Sequence, residues 1–386
     1  MSEIALRILH VSEPVGGGVA AYVHRVSAAQ QQRGHVVQTL APEGLPRSAT
    51  SWDFRRGAPA GWWRGRRQLV QRIGQLRPDV VHAHSFFAGL PARSLGHHER
   101  AGSVLVFQPH AWATDAVESR VCRDVIARWE CFASKRTDLI MYVSEDERRQ
   151  GESMGLRVGG AVVGVPVDLD DFAPQTPQAR EIARLELGLP PGRLLVCVGR
   201  LSRQKGQELL AAAWERTPIP GATLLLVGPG DVAHVRAVAP RTFGSSLRCV
   251  GAQSDVERWL WAADAVVQSS RYEGMSTVVG EALAAGRPVY STPVNGAREA
   301  IVSPKYGPPA GAVEETVQRV LTRVSWTLDH PDVLMAQTAA ASRRVTELYG
   351  VHQVLNRIDA AYEQASRASP AHSAGSETPF RVRVGV

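Results

Sequence analysis

The chain has 386 residues, more than one compact core usually holds, so two domains are expected. With 44% hydrophobic and 21% charged residues it reads as an ordinary soluble globular protein. The absence of any run of eighteen apolar residues argues against a membrane-spanning helix.

The N-terminus, "MSEIALRILHVSEP", lacks the basic region, apolar run and cleavage site of a secretory signal. The four cysteines (Cys122, Cys131, Cys197, Cys249) show neither CxxC nor zinc spacing. A reduced, cytoplasmic protein is therefore expected. The net charge is +7, and it is local. Residues 47–77 hold eight arginines and one acid, Asp53, enough to account for the whole excess.

Taken in chain order, "ALRILHVSE" (5–13) is an apolar strand. A glycine-rich turn leads into an amphipathic helix that stops at Gly34, and "HVVQTLAP" is the next strand. Strand, glycine turn, helix, strand is a βαβ opening. Further strands are expected at 78–85, 103–110, 138–145 and 160–168, with helical patterns between them. After a proline-rich and charged stretch near 174–192, a second series begins at 193–201, 222–230, 246–253, 263–270 and 287–294. Two doubly wound, Rossmann-like α/β halves in tandem follow from this alternation. The segment 349–366 reads as a last amphipathic helix, and 367–386, rich in Ser, Pro and Gly, as a disordered tail.

Ligands of open α/β sheets bind beyond the carboxyl ends of the strands. Four loops there carry candidate chemistry. In "EPVGGGVAAY", Gly16, Gly17 and Gly18 let the backbone approach a phosphate at a helix N-terminus. The spacing Gly16-x-Gly18-x-x-Ala21 also fits a dinucleotide fingerprint, but the expected acid about twenty residues on is replaced by a late Glu43. In "VGRLSRQKGQE", Arg200 and Lys205 suit an anionic leaving group. Lysine otherwise occurs only at 135 and 305. In "RYEGMSTVVGEALAAG", Glu273 falls in a loop and Glu281 in the helix that follows, with Ser276 or Thr277 as N-cap. In "VFQPHAWATD", His110 closes a strand as a substrate contact. His82 and His84, in "VVHAHS", have a metal-like spacing but no evident third ligand.

Together these loops resemble glycosyltransferase family 4, the retaining nucleotide-sugar transferases of GT-B fold, over about residues 6–365. The strongest parts are "GRLSRQKG", the pair Glu273/Glu281 and the continuation "GEALAAGRPVYSTPVNGAREAI". The resemblance implies an acceptor-binding domain (1–172), a donor-binding domain (173–348) facing it across a cleft, and a crossover helix (349–366) returning to the first. It implies that Arg200 and Lys205 hold the donor diphosphate, Glu281 the ribose and Glu273 the sugar hydroxyls. Gly274 and the backbone N–H groups of Met275, Ser276 and Thr277 would meet sugar or phosphate. Gly17 and Gly18 would approach the phosphate, His110 would sit by the transferred sugar, and the loop at Gly251 would border the base. The linker "VGVPVDLDDF" departs from the family's Pro-Asn-Gly, and Met275-Ser276 from its usual Pro or Phe.

The expected reaction moves a hexose-type sugar from a UDP- or GDP-sugar to a glycan, lipid-linked or small-molecule acceptor with retention of configuration. Neither metal nor other cofactor is called for. The Arg-rich window with Trp52, Trp62 and Trp63 is read either as a docking segment for an anionic inner membrane face or as a solvated basic helix with its tryptophans partly packed. Nucleic acid is not an expected partner. A nucleotide-sugar epimerase of the same fold, an NAD-type dehydrogenase and a non-catalytic binding protein are the alternatives.

Overall fold

A computed structural model describes residues 5–14, 16–42, 49–54, 59–156, 159–301 and 313–368. Glu43, Arg47, Arg55, Arg56 and the tail from residue 369 lie outside the described residues. The chain divides into two compact units: the residues up to Pro166 together with the C-terminal helix Val351–Ala368, and Val167–Gly350.

In the first unit the strands are β1 (Arg7–Ser12), β2 (Val36–Ala41), β3 (Ala49–Ser51), β4 (Val80–His84), β5 (Val104–Gln108), β6 (Leu139–Tyr142) and β7 (Gly160–Val162). They form one parallel sheet in the order β3-β2-β1-β4-β5-β6-β7. Both faces are covered, which is why β4 and β5 are buried along their whole length. One face packs Trp52, Phe54, Leu69, Ile73, Phe107 and Trp112 into a continuous core. The helix Val351–Ala368 packs in this unit on the helix Gly18–Gln32, where Arg33 bonds Asp359 at 2.6 Å. The terminal helix therefore returns to the first sheet, as its place in the fold requires.

The second unit holds β8 (Arg193–Val198), β9 (Ala222–Val227), β10 (Leu247–Gly251), β11 (Ala265–Gln268) and β12 (Val289–Ser291). Their order is β10-β9-β8-β11-β12, again parallel. Its core centres on Leu195, Leu210, Trp214, Leu224, Leu226 and Val267. Every strand expected from the sequence is present, and β3 is an addition. Both sheets reverse their strand order once, between β1 and β4 and between β8 and β11. Such a switch point opens a crevice at the carboxyl ends of the two strands that flank it.

Two candidate sites at the carboxyl edges

In the second unit the switch point is flanked by the loop after β8, which carries Arg200 and Lys205, and the loop after β11, which carries Glu273. Lys205 Nζ donates to Glu273 Oε1 at 2.6 Å. Ser270 Oγ donates to the same oxygen at 2.7 Å, and Gln204 Nε2 reaches Oε2 at 3.3 Å. Glu273 is buried, so its charge depends on these partners. The loops are stitched by backbone as well. Arg271 N–H donates to Gln204 O at 2.8 Å and Ser269 Oγ to Lys205 O at 2.9 Å. Gly206 makes this approach possible, since its φ is +64° and a Cβ there would stand 2.3 Å from Ser269 O.

Gly274, Met275 and Ser276 are buried beside Glu273, and the helix Thr277–Ala284 follows with Ser276 as its N-cap. Ser119, Ser144 and Thr176 cap their helices with a side-chain oxygen, whereas the Ser276 side chain makes no such bond. First-turn N–H groups without a side-chain cap suit an incoming anion. Glu281 is buried further along the same helix. Arg200 is exposed at the mouth of its loop. Gly251 is exposed at the end of β10, where its carbonyl accepts from Gly228 N–H at 2.8 Å. The structure thus joins Lys205 with Glu273 directly and sets Arg200, Met275 and Ser276 in the loops around them, with Thr277 opening the helix. Gln204 and Ser270 were missed by sequence reading. Their only signal was adjacency to Lys205 and to Glu273.

In the first unit Gly16, Gly17 and Gly18 are exposed between β1 and the helix they open. Gly17 is the N-cap, with φ 79° and ψ −164°, a region only glycine occupies readily. His110 follows β5 with φ 61°, uncommon for a residue bearing Cβ. It is partly exposed, and its ring meets Tyr22 edge-on at 4.7 Å.

Behind His110 lies a histidine cluster. His10 and His82 are register partners on β1 and β4, and His84 is two residues on from His82, so alternation brings all three to one face of the sheet. Here the expectation for His82 and His84 is corrected: a third imidazole, His10, joins them, with one ligand nitrogen from each within 4.8 Å of the others. Sequence spacing misses it because His10 is contributed by a neighbouring strand. Burial lowers His10 to about 4 and His110 to about 3, and pushes His82 and His84 well below the usual imidazole range. All four rings are neutral at pH 7.

The Arg/Trp window packs in part against the core. Trp52 is buried, stacks on Phe54 at 4.7 Å and donates Nε1–H to Gly65 O at 2.9 Å. The helix Pro59–Leu76 inserts Leu69 and Ile73 in the core. Arg66 forms two bonds with Glu99, at 2.8 and 2.7 Å. Trp63, Arg64 and Arg67 remain exposed. Among the described residues no helix is long and apolar enough to cross a membrane.

Residues 16–171 match the profile of Glycosyltransferase Family 4, and residues 192–324 that of Glycosyl transferases group 1. The Bacillus subtilis protein EpsD is 27% identical over 251 residues, 61% of this chain and 64% of that one. Glycogen synthase of Mycobacterium tuberculosis is 27% identical over 424 residues, 94% of this chain and 95% of that one. Among solved structures, Anabaena HepE in complex with UDP and glucose superposes with a TM-score of 0.76 at 18% identity, covering 93% of this chain and all of that one (100%).

Proposed function

The chain belongs to glycosyltransferase family 4 and has the family's GT-B architecture, and from that premise we propose that it moves a hexose-type sugar from a UDP- or GDP-sugar to a glycan or lipid-linked acceptor, retaining the anomeric configuration. The observation that carries this reading is the Lys205–Glu273 pair at the switch point of the second sheet. A diphosphate arriving there meets Lys205, Arg200 and the first N–H groups of the helix Thr277–Ala284. These groups stabilise the negative charge that develops on the leaving phosphate as the glycosidic bond breaks. Two cations and a helix end supply that charge, so the reading calls for no metal. Glu273, released in part from Lys205 by the diphosphate, accepts hydrogen bonds from sugar hydroxyls, and Glu281 from the ribose. Gly17 and Gly18 bring backbone to phosphate, His110 bonds a sugar hydroxyl, and the loop at Gly251 borders the base.

HepE is described with UDP and glucose, and glycogen synthase by name builds a glycan, which favours a nucleotide-sugar donor and a carbohydrate acceptor here. Retention follows in this reading from front-face attack, in which the leaving phosphate takes the acceptor proton. We place the enzyme in the cytoplasm, with exposed Trp63, Arg64 and Arg67 as the part of the basic window available to an anionic membrane face.

The test is a thermal-shift screen with UDP-glucose, GDP-mannose and NAD. A nucleotide sugar at about a hundred times its Kd adds roughly 2.7 kcal/mol. A shift with NAD alone overturns the reading. NMR of the new linkage then reads the anomer, and an inverted product removes the retaining assignment.

A further inference from the structure

The buried imidazoles behind His110 are linked in series. Gln30 Oε1 lies 2.8 Å from His10 Nε2. His10 Nδ1 lies 2.9 Å from His84 Nε2, and His84 Nδ1 lies 2.9 Å from His110 Nε2. Gln30, His10 and His84 are fully buried, and His110 is the partly exposed end.

A neutral imidazole has one N–H and one lone pair, so the direction of one bond fixes the next. An amide oxygen only accepts. His10 must then donate from Nε2, which leaves its Nδ1 bare. His84 Nε2–H fills that lone pair, and its own Nδ1 is bare in turn. His110 Nε2–H donates to it. The last free position in the series is His110 Nδ1.

We propose that Gln30, His10 and His84 are positioning residues that set the tautomer of His110, holding its proton on Nε2 and presenting a bare Nδ1 lone pair as acceptor for a substrate hydroxyl. This rests on the assignment of His110 to the sugar. The series does not export protons, because it ends on a buried amide that does not titrate. Nor does it fit a metal centre as it stands. His10 Nδ1 and His84 Nε2 are at hydrogen-bond distance, 2.9 Å, whereas two nitrogens about 2.05 Å from one zinc in a tetrahedron lie roughly 3.3 Å apart. His82 stands beside the series, bonded through Nδ1 to the Tyr362 hydroxyl at 2.7 Å.

The experiment labels the full chain with 15N-histidine and reads the tautomer of each ring from two-bond 1H–15N spectra at pH 7.5, with His110 assigned by its loss in His110→Ala. The expected result is a His110 protonated on Nε2. In Gln30→Leu, which removes the acceptor, His110 becomes a mixture of tautomers, and kcat falls about tenfold with the donor KM unchanged. Gln30→Glu keeps an accepting oxygen and restores both the tautomer and kcat. A wild-type His110 carrying its proton on Nδ1 overturns the proposal, and this measurement needs no variant of Gln30 to fold. So does an unchanged tautomer in Gln30→Leu, or one equivalent of Zn2+ shifting His10, His82 and His84 together. If His110→Ala retains full transfer activity, the sugar assignment fails while the tautomer result stands on its own.

Discussion

At the carboxyl edge of β8 and β11 a lysine, a glutamate, a glutamine and a serine hold one another in a charged knot. At the carboxyl edge of β1, β4 and β5 three imidazoles and an amide hold one another with no charge at all. Both occupy the switch point of a parallel sheet, or lie one strand from it. The difference lies in where the unfilled bonding capacity is. In the proposed reading an anion arriving at the charged cluster competes with Glu273 for Lys205, so affinity trades one ion pair for another. In the neutral cluster every ring nitrogen of His10 and His84 is already bonded, and only the last ring faces outward. One half suits a phosphate, and the other a hydroxyl.

The comparison breaks most sharply at Lys205. With Lys205 at the leaving group, as proposed, kcat of Lys205→Ala should fall roughly a hundredfold to a thousandfold. Single-turnover transfer measures it, and an unchanged rate removes the charged half of the contrast. Acidification acts on the other half. An imidazole that ionises near 6.5 when unfolded and near 4 when folded leaves the folded state full stability above pH 6.5 and takes it away as pH falls towards 4. For His10 alone the loss at pH 5 is about 2 kcal/mol. Hydrogen exchange at pH 7.5 and 5 should therefore show β1 and β4 opening more readily on acidification than β8 and β11. Equal response of the two sheets contradicts the neutral cluster. Ser270→Ala takes one hydrogen bond from a buried carboxylate, at about 1.5 kcal/mol, read as a lowered urea midpoint. Smallest of all, Trp63→Ala should change unfolding free energy by less than about 0.5 kcal/mol, since the ring is 64% exposed. Weakened flotation with anionic vesicles in that variant would tie Trp63 to a membrane, and unchanged flotation would detach it.

Trp52 and Trp63 show how far a local reading reaches. Both sit in the same arginine-rich window, and nothing in composition separates them. Trp52 lies in the core with its N–H on Gly65, while Trp63 faces outward, because β3 and the helix Pro59–Leu76 turn one face of the window inward. The strand alternation, the glycine turn and the helix after Glu273 were all legible, since period and turn chemistry are local properties. Lys205 and Glu273 stood out as candidates for the same reason. Their bond to each other did not, because it spans 68 residues and depends on β8 and β11 being neighbours.

Local pattern along the chain was enough for two doubly wound halves, the loops that carry candidate chemistry and the family resemblance. Hydrophobic period, glycine placement and short motifs are written along the chain. Tertiary structure alone decided which cation meets which carboxylate, that His10 joins His82 and His84, and that Gln30 closes their series. Those facts follow from strand order and register, which bring together side chains far apart in sequence and strip them of water. Only there does a lysine need its glutamate, or a histidine its neighbour's proton.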